Sequence, residues 1–155
     1  MKKIFVSLSL MLVVGLTTVL ANDETVSDKV KESFKKEFVG ATSVKWEKQK
    51  DFQTATFVFY DHLVIAYFNA DGELLASARN VLFYELPMAV VKSLDKKFPW
   101  INPTEMTEVS NTEGTFYKLT IERQKKRYNI KADASGNILR IVKIKDSRQL
   151  ITEKL

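Results

Sequence analysis

The sequence predicts an α+β fold: a tandem repeat of a helix plus a four-stranded antiparallel sheet, with the helices packed on one face of a curved sheet. Three observations lead there. Two segments carry apolar residues at helical spacing, Val30, Phe34 and Phe38 in the first and Val90, Leu94 and Phe98 in the second, sixty residues apart. Each is followed by four stretches of β pattern. The segments "NADGELL" and "DASGNIL" also correspond, at an offset of sixty-four. Self-similarity of this kind sets the fold class before any single element does, and helices on an antiparallel sheet are a stable layering.

The first helix follows from Val26, Val30, Phe34 and Phe38, which line one face. Thr25 is its expected cap, with Asp28 in the capping-box position. Lys35 and Lys36 suit the negative end of the helix dipole, and Gly40 is a stop signal. "TSVKWEK" then alternates, with Val44 and Trp46 on one side. "FQTATFVFY", "HLVIAYFN" and "ELLASARNVLF" continue the β pattern. Pro87 belongs in the first turn of a second helix, "ELPMAVVKSLDKKFP", which Pro99 ends. "TEMTEVS", "TFYKLTIER", "KRYNIKA" and "NILRIVKIK" are the last strands.

The chain opens "MKKIFVSLSLMLVVGLTTVLAND". Lys2 and Lys3 precede an apolar run, and Val19 and Ala21 sit at the −3 and −1 positions of a cleavage site. This predicts a signal peptide over 1–21 and an exported protein, periplasmic or secreted. A membrane anchor is the competing reading, but the run is short and ends in small residues. With no Cys in the chain, lipid attachment at a cysteine is excluded. Removing Lys2 and Lys3 lowers the net charge from +5 to +3, a mild balance that points to no particular partner. No later apolar stretch is long enough to span a membrane.

The helix ending in "FKKEFVGATSVKWEK", the paired strands, "FNADGELL" and "ELPMAVVKSL" together resemble the exported PepSY-like proteins known as beta-lactamase-inhibitor-like. The resemblance runs from about Val26 to Ile144. Its marks are the strand through Val44, Lys45 and Trp46, the Asp71-Gly72 turn and the Leu86-Pro87 helix start. It implies a single domain over 22–146 made of two repeats, 25–83 and 84–146, with a C-terminal tail over 147–155. It also implies a concave sheet, no catalysis and an inhibitor or binding role.

Residues that could carry chemistry are few. Placing Gly72 at position 6 of a calcium loop puts Tyr67 at position 1 and Ala78 at position 12, where acids are needed. A hairpin turn explains the stretch better. His62 is the only histidine and there is no Cys, so neither a zinc site nor a nucleophile–base pair is assembled from the usual ligands. It reads as a solvated turn histidine. The run Arg123 to Arg127 reads as a solvated hairpin tip, not a nucleic-acid site. The sequence therefore predicts no enzyme, no metal and no cofactor.

The most informative signal is a difference between the halves. Tyr117, Leu119, Ile121, Tyr128 and Ile130 share one face of a hairpin, and Lys118, Thr120, Glu122, Arg127, Asn129 and Lys131 share the other. At the sixty-four offset the first core face becomes Ala55, Phe57, Phe59, Val64, Ala66 and Phe68. The opposite face then carries Val58, Tyr60, Leu63, Ile65 and Tyr67, apolar where its counterpart is charged. Two readings stand: this face is buried, under the 149–155 tail or against the other half, or it is an exposed partner-binding patch. The expected function is a small non-catalytic binding protein, an inhibitor of an envelope or secreted enzyme. The alternative is a structural or stress-associated envelope protein with no enzyme target.

Overall fold

The structure is a computed structural model and describes residues 26–100 and 102–144. The signal peptide expected over 1–21, the Thr25 cap and the tail over 147–155 lie outside the described residues. In chain order the elements are α1 (Asp28–Glu37), β1 (Thr42–Lys48), β2 (Gln53–Phe59), β3 (His62–Phe68), β4 (Leu74–Asn80), a short 3-10 turn (Phe83–Glu85), α2 (Met88–Lys97), β5 (Glu105–Asn111), β6 (Gly114–Arg123), β7 (Lys126–Asp133) and β8 (Ile138–Ile144).

The expected tandem of helix-plus-four-strand units is corrected by the sheet. All eight strands form one antiparallel sheet in the order β1 to β8, with only two ten-residue α-helices among the described residues. β4 does not end a unit. It pairs with β5 from Ala76↔Asn111 to Asn80↔Thr107, so its outer N–H and C=O groups are bonded within the sheet and no seam separates two halves. The likeness between the helices, and between the turns, reports local chemistry. It does not report which strands pair.

Ser27 caps α1, its hydroxyl accepting from the Val30 N–H at 3.3 Å. Val30 and Phe34, one turn apart, are buried against Ala55, Phe57, Val64, Ala66 and Phe68. The Phe34 ring meets Phe57 edge-on, with centroids 4.8 Å apart. Pro87 immediately precedes α2, whose Val90 and Leu94 pack on Tyr117, Leu119, Ile121, Ile130 and Ala132. Both clusters lie on the same face of the sheet. The cross-strand partners Val64, Arg79, Glu108, Tyr117 and Ala132 form one unbroken row from the first cluster to the second.

The loop glycines do more than turn. Gly72 and Gly136 both have φ +85°. A Cβ on Gly72 would lie 2.9 Å from the Lys29 carbonyl oxygen, and one on Gly136 would lie 2.7 Å from the Ala89 carbonyl carbon. Each glycine lets a hairpin press directly against a helix backbone.

Candidate functional site

The sheet face opposite the helices is the candidate site, because no element among the described residues is packed on it. Its register can be followed across the strands. One row runs Lys45, Thr56, Ile65, Ala78, Val109, Phe116. A neighbouring row runs Glu47, Thr54, Tyr67, Ala76, Asn111. Val58 pairs Leu63 on the same side.

Val58, Leu63, Ile65 and Tyr67 therefore share this face. Leu63 is 60% exposed and the other three are half-buried. The Tyr67 ring is held edge-on by Phe52 at 5.8 Å. Tyr60 is not with them. It and Asp61 form the two-residue turn between β2 and β3, with φ 46° and 63°, and its ring meets Phe59, a residue of the helix-side cluster, edge-on at 4.5 Å. Sequence alternation put Tyr60 on the open face because it ignored where the strand stops. It also missed Ala76, Ala78, Val109 and Phe116, which carry the apolar surface across the middle of the sheet. The β4–β5 register that aligns them leaves no local pattern.

On the helix side, a charged network sits between the two apolar clusters. Arg79 makes a forked contact with Glu108, Nε to Oε1 at 2.9 Å and Nη2 to Oε2 at 3.4 Å, and its Nη1 lies 3.3 Å from Glu85 Oε1. The Tyr117 hydroxyl donates to Glu108 at 3.0 Å. The other Glu85 oxygen accepts from the Leu82 N–H at 2.6 Å, which closes the 3-10 turn. His62 Nε2 lies 3.5 Å from Glu85, so this histidine is half-buried against the network instead of solvated in a turn. The difference arises because the 3-10 turn folds Glu85 back toward the start of β3.

Burial pushes the Glu108 carboxyl up, but the hydrogen bonds from Arg79 and Tyr117 outweigh it and hold the group below its ordinary range. Burial, and then the hydrogen bond to Glu108, push the Tyr117 phenol up to about 12. The bond to Glu108 raises Arg79 further. Every carboxylate here is engaged by a donor, so the arrangement works as a brace between β4, β5 and β6.

The Asn69–Glu73 loop is also self-contained. Asn69 Oδ1 accepts from the N–H groups of Asp71 and Glu73 at 3.0 and 2.9 Å, and its amide donates to the Glu73 side chain at 2.8 Å. In the second such loop the Asp133 carboxylate accepts from the Asn137 side-chain amide at 2.8 Å and from its backbone N–H at 2.9 Å, which holds the carboxyl below the usual range. Asn69 Oδ1 and one Glu73 oxygen are thus spent within the turn, and the Asp71 carboxylate faces Lys29 of α1 at 3.8 Å.

No family model matches the chain and no curated protein matches it. Solved structures do. A BLIP-like protein from Bacteroides fragilis aligns with a TM-score of 0.71 at 18% identity, covering 79% of this chain and 89% of its own. The fold is similar to that of a BLIP-like protein. A protein of Bacteroides eggerthii, assigned by inference to the periplasm, aligns with a TM-score of 0.69 at 22% identity, covering 77% of this chain and 90% of its own. A DUF2874 family protein from Bacteroides uniformis gives 0.69 at 16% identity, with the same shares of 77% and 90%. At these identities the likeness is one of fold. It supports the beta-lactamase-inhibitor-like part of the resemblance and not PepSY specifically. No helix among the described residues is long and apolar enough to cross a membrane.

Proposed function

We propose that the protein is a small exported, non-catalytic binding protein that inhibits an envelope or secreted enzyme by covering it with the open face of its sheet. The observation that carries this reading is the apolar half of that face, with Val58, Leu63, Ile65 and Tyr67 set on strands whose other side is fixed by α1. The BLIP-like fold supports it, as does the signal-like sequence over 1–21, and we take 22–146 as the folded domain. The mechanism is steric occlusion. Rigid strands present a preformed surface, so little ordering cost accompanies binding. A stable complex needs about 800 Å² from each partner, so the interface would extend from the apolar half over Ala76, Ala78, Val109 and Phe116 in the middle of the sheet.

The mature chain, immobilised, should capture an enzyme from an envelope extract and then abolish its activity stoichiometrically in a titration, with beta-lactamases tested first. Ile65→Lys should weaken that inhibition by about tenfold or more with an unchanged melting temperature. Collapse of the fold on Ile65→Lys would instead place this face in the interior. Recovery of wall or membrane material alone would favour a structural role.

A further inference from the structure

The other half of the open face has a different chemistry. Between β5 and β8 the face is hollow and holds a cleft of about 520 Å³, within the range of small-molecule sites. Lys118, Lys131 and Arg140 line it in a single cross-strand row, Lys118 directly opposite Lys131 and Lys131 directly opposite Arg140. Like charges in directly opposed positions destabilise a sheet. Among the described residues no carboxylate pairs with them, because the nearby acid is already committed. Glu105 also borders the cleft, but its carboxylate takes the Thr120 hydroxyl at 3.1 Å and Arg127 at 3.2 Å. None of the three cations forms an ion pair among the described residues. Lys131 Nζ rests 3.9 Å above the Phe116 ring instead, where it stays oriented over the face.

We propose that this cleft binds a small ligand carrying two or three carboxylates. Three single cations, one on each of three strands spaced about 4.8 Å apart, match separate carboxylates better than one compact anion. A phosphate site usually converges backbone N–H groups from a helix end or nest, and here those groups are spent in the strand ladders. Arg140 supplies a forked donor, and Lys118 and Lys131 supply point charges. Thr120 and Asn129, whose Oγ1 and Oδ1 lie 3.1 Å apart, form a polar wall for the ligand's remaining groups. The proposal does not depend on an enzyme partner at the apolar half.

Calorimetric titration of the mature chain with citrate, at low salt, tests it, with pyrophosphate as comparator. Citrate should bind more tightly than pyrophosphate, and added salt should weaken it. Lys131→Gln and Arg140→Gln should each weaken citrate by about tenfold. Neither should lower the melting temperature, since each removes a like-charge opposition. Ile65→Lys should leave citrate binding unchanged, which separates this site from the inhibitory face. Lys125→Gln with Lys126→Gln, at the exposed β6–β7 tip, should also leave it unchanged. Absence of citrate binding at millimolar concentration, a preference for pyrophosphate, or an equal loss in the tip variant would overturn the proposal.

Discussion

Gly136→Ala is expected to melt roughly 10 °C below the parent chain, a loss of about 3 kcal/mol. Two costs combine. The residue sits at φ +85°, where an L side chain is strained. The added methyl would also be driven into the Ala89 carbonyl, and that backbone cannot swing away as a side chain would. Gly40→Ala is the control. Gly40 has a similar φ of +89° with nothing near the new Cβ, so it should cost only about 1 kcal/mol. Equal losses in the two variants, by urea or thermal unfolding, would show that conformational strain alone is at work and that contact with α2 contributes nothing.

Arg79→Leu is expected to cost about 2–3 kcal/mol at pH 7, because it leaves Glu108 and Glu85 half-buried without their shared cation. The sign of the pH dependence follows from Glu108. Its folded-state pKa is depressed, so its contribution is present above the unfolded carboxyl value and is lost as pH falls through the folded value. The gap between parent and variant should therefore narrow toward pH 3. Tyr117 works in the opposite sense. Its contribution holds below the ordinary phenol value and is lost as pH rises toward about 12. A gap between parent and Arg79→Leu that is the same at pH 3 and pH 7 would sink the assignment. Arg79→Leu combined with Glu108→Leu should recover part of the loss, since no charge is then stranded on β5.

Much of this architecture can be read from the chain, and what cannot has a common cause. The spacing of Val30 and Phe34, or of Val90 and Leu94, marks a helix face because i and i+4 lie together. The alternation in β2 and in β6 identifies Phe57, Leu119 and Ile121 as interior, since strand period fixes the face. The partnership of Arg79 with Glu108 spans 29 residues and exists only because β4 pairs β5. No periodic signal announces that pairing, and without it one eight-stranded sheet reads as two helix-plus-four-strand units. The cationic row has the same origin. Lys118, Lys131 and Arg140 are unremarkable alternating residues until the β6–β7–β8 register sets them side by side. Phase alone puts Val58, Leu63, Ile65 and Tyr67 on the open face, where the register has them. It misplaces Tyr60, because a turn with two positive φ values ends the phase before it.

A sheet whose strands neighbour one another in sequence order also has a kinetic signature. Most of its ladders join adjacent segments through short turns, such as Tyr60-Asp61 and Gln124-Lys125, so they can zip locally with little loop-closure entropy. The β4–β5 ladder is different, since its ends are joined through the 3-10 turn and all of α2. Closing that longer loop is the step where contact order is highest. The Arg79–Glu108 fork stands on that ladder, so it should form late and govern how slowly the folded chain opens more than how fast it first collapses.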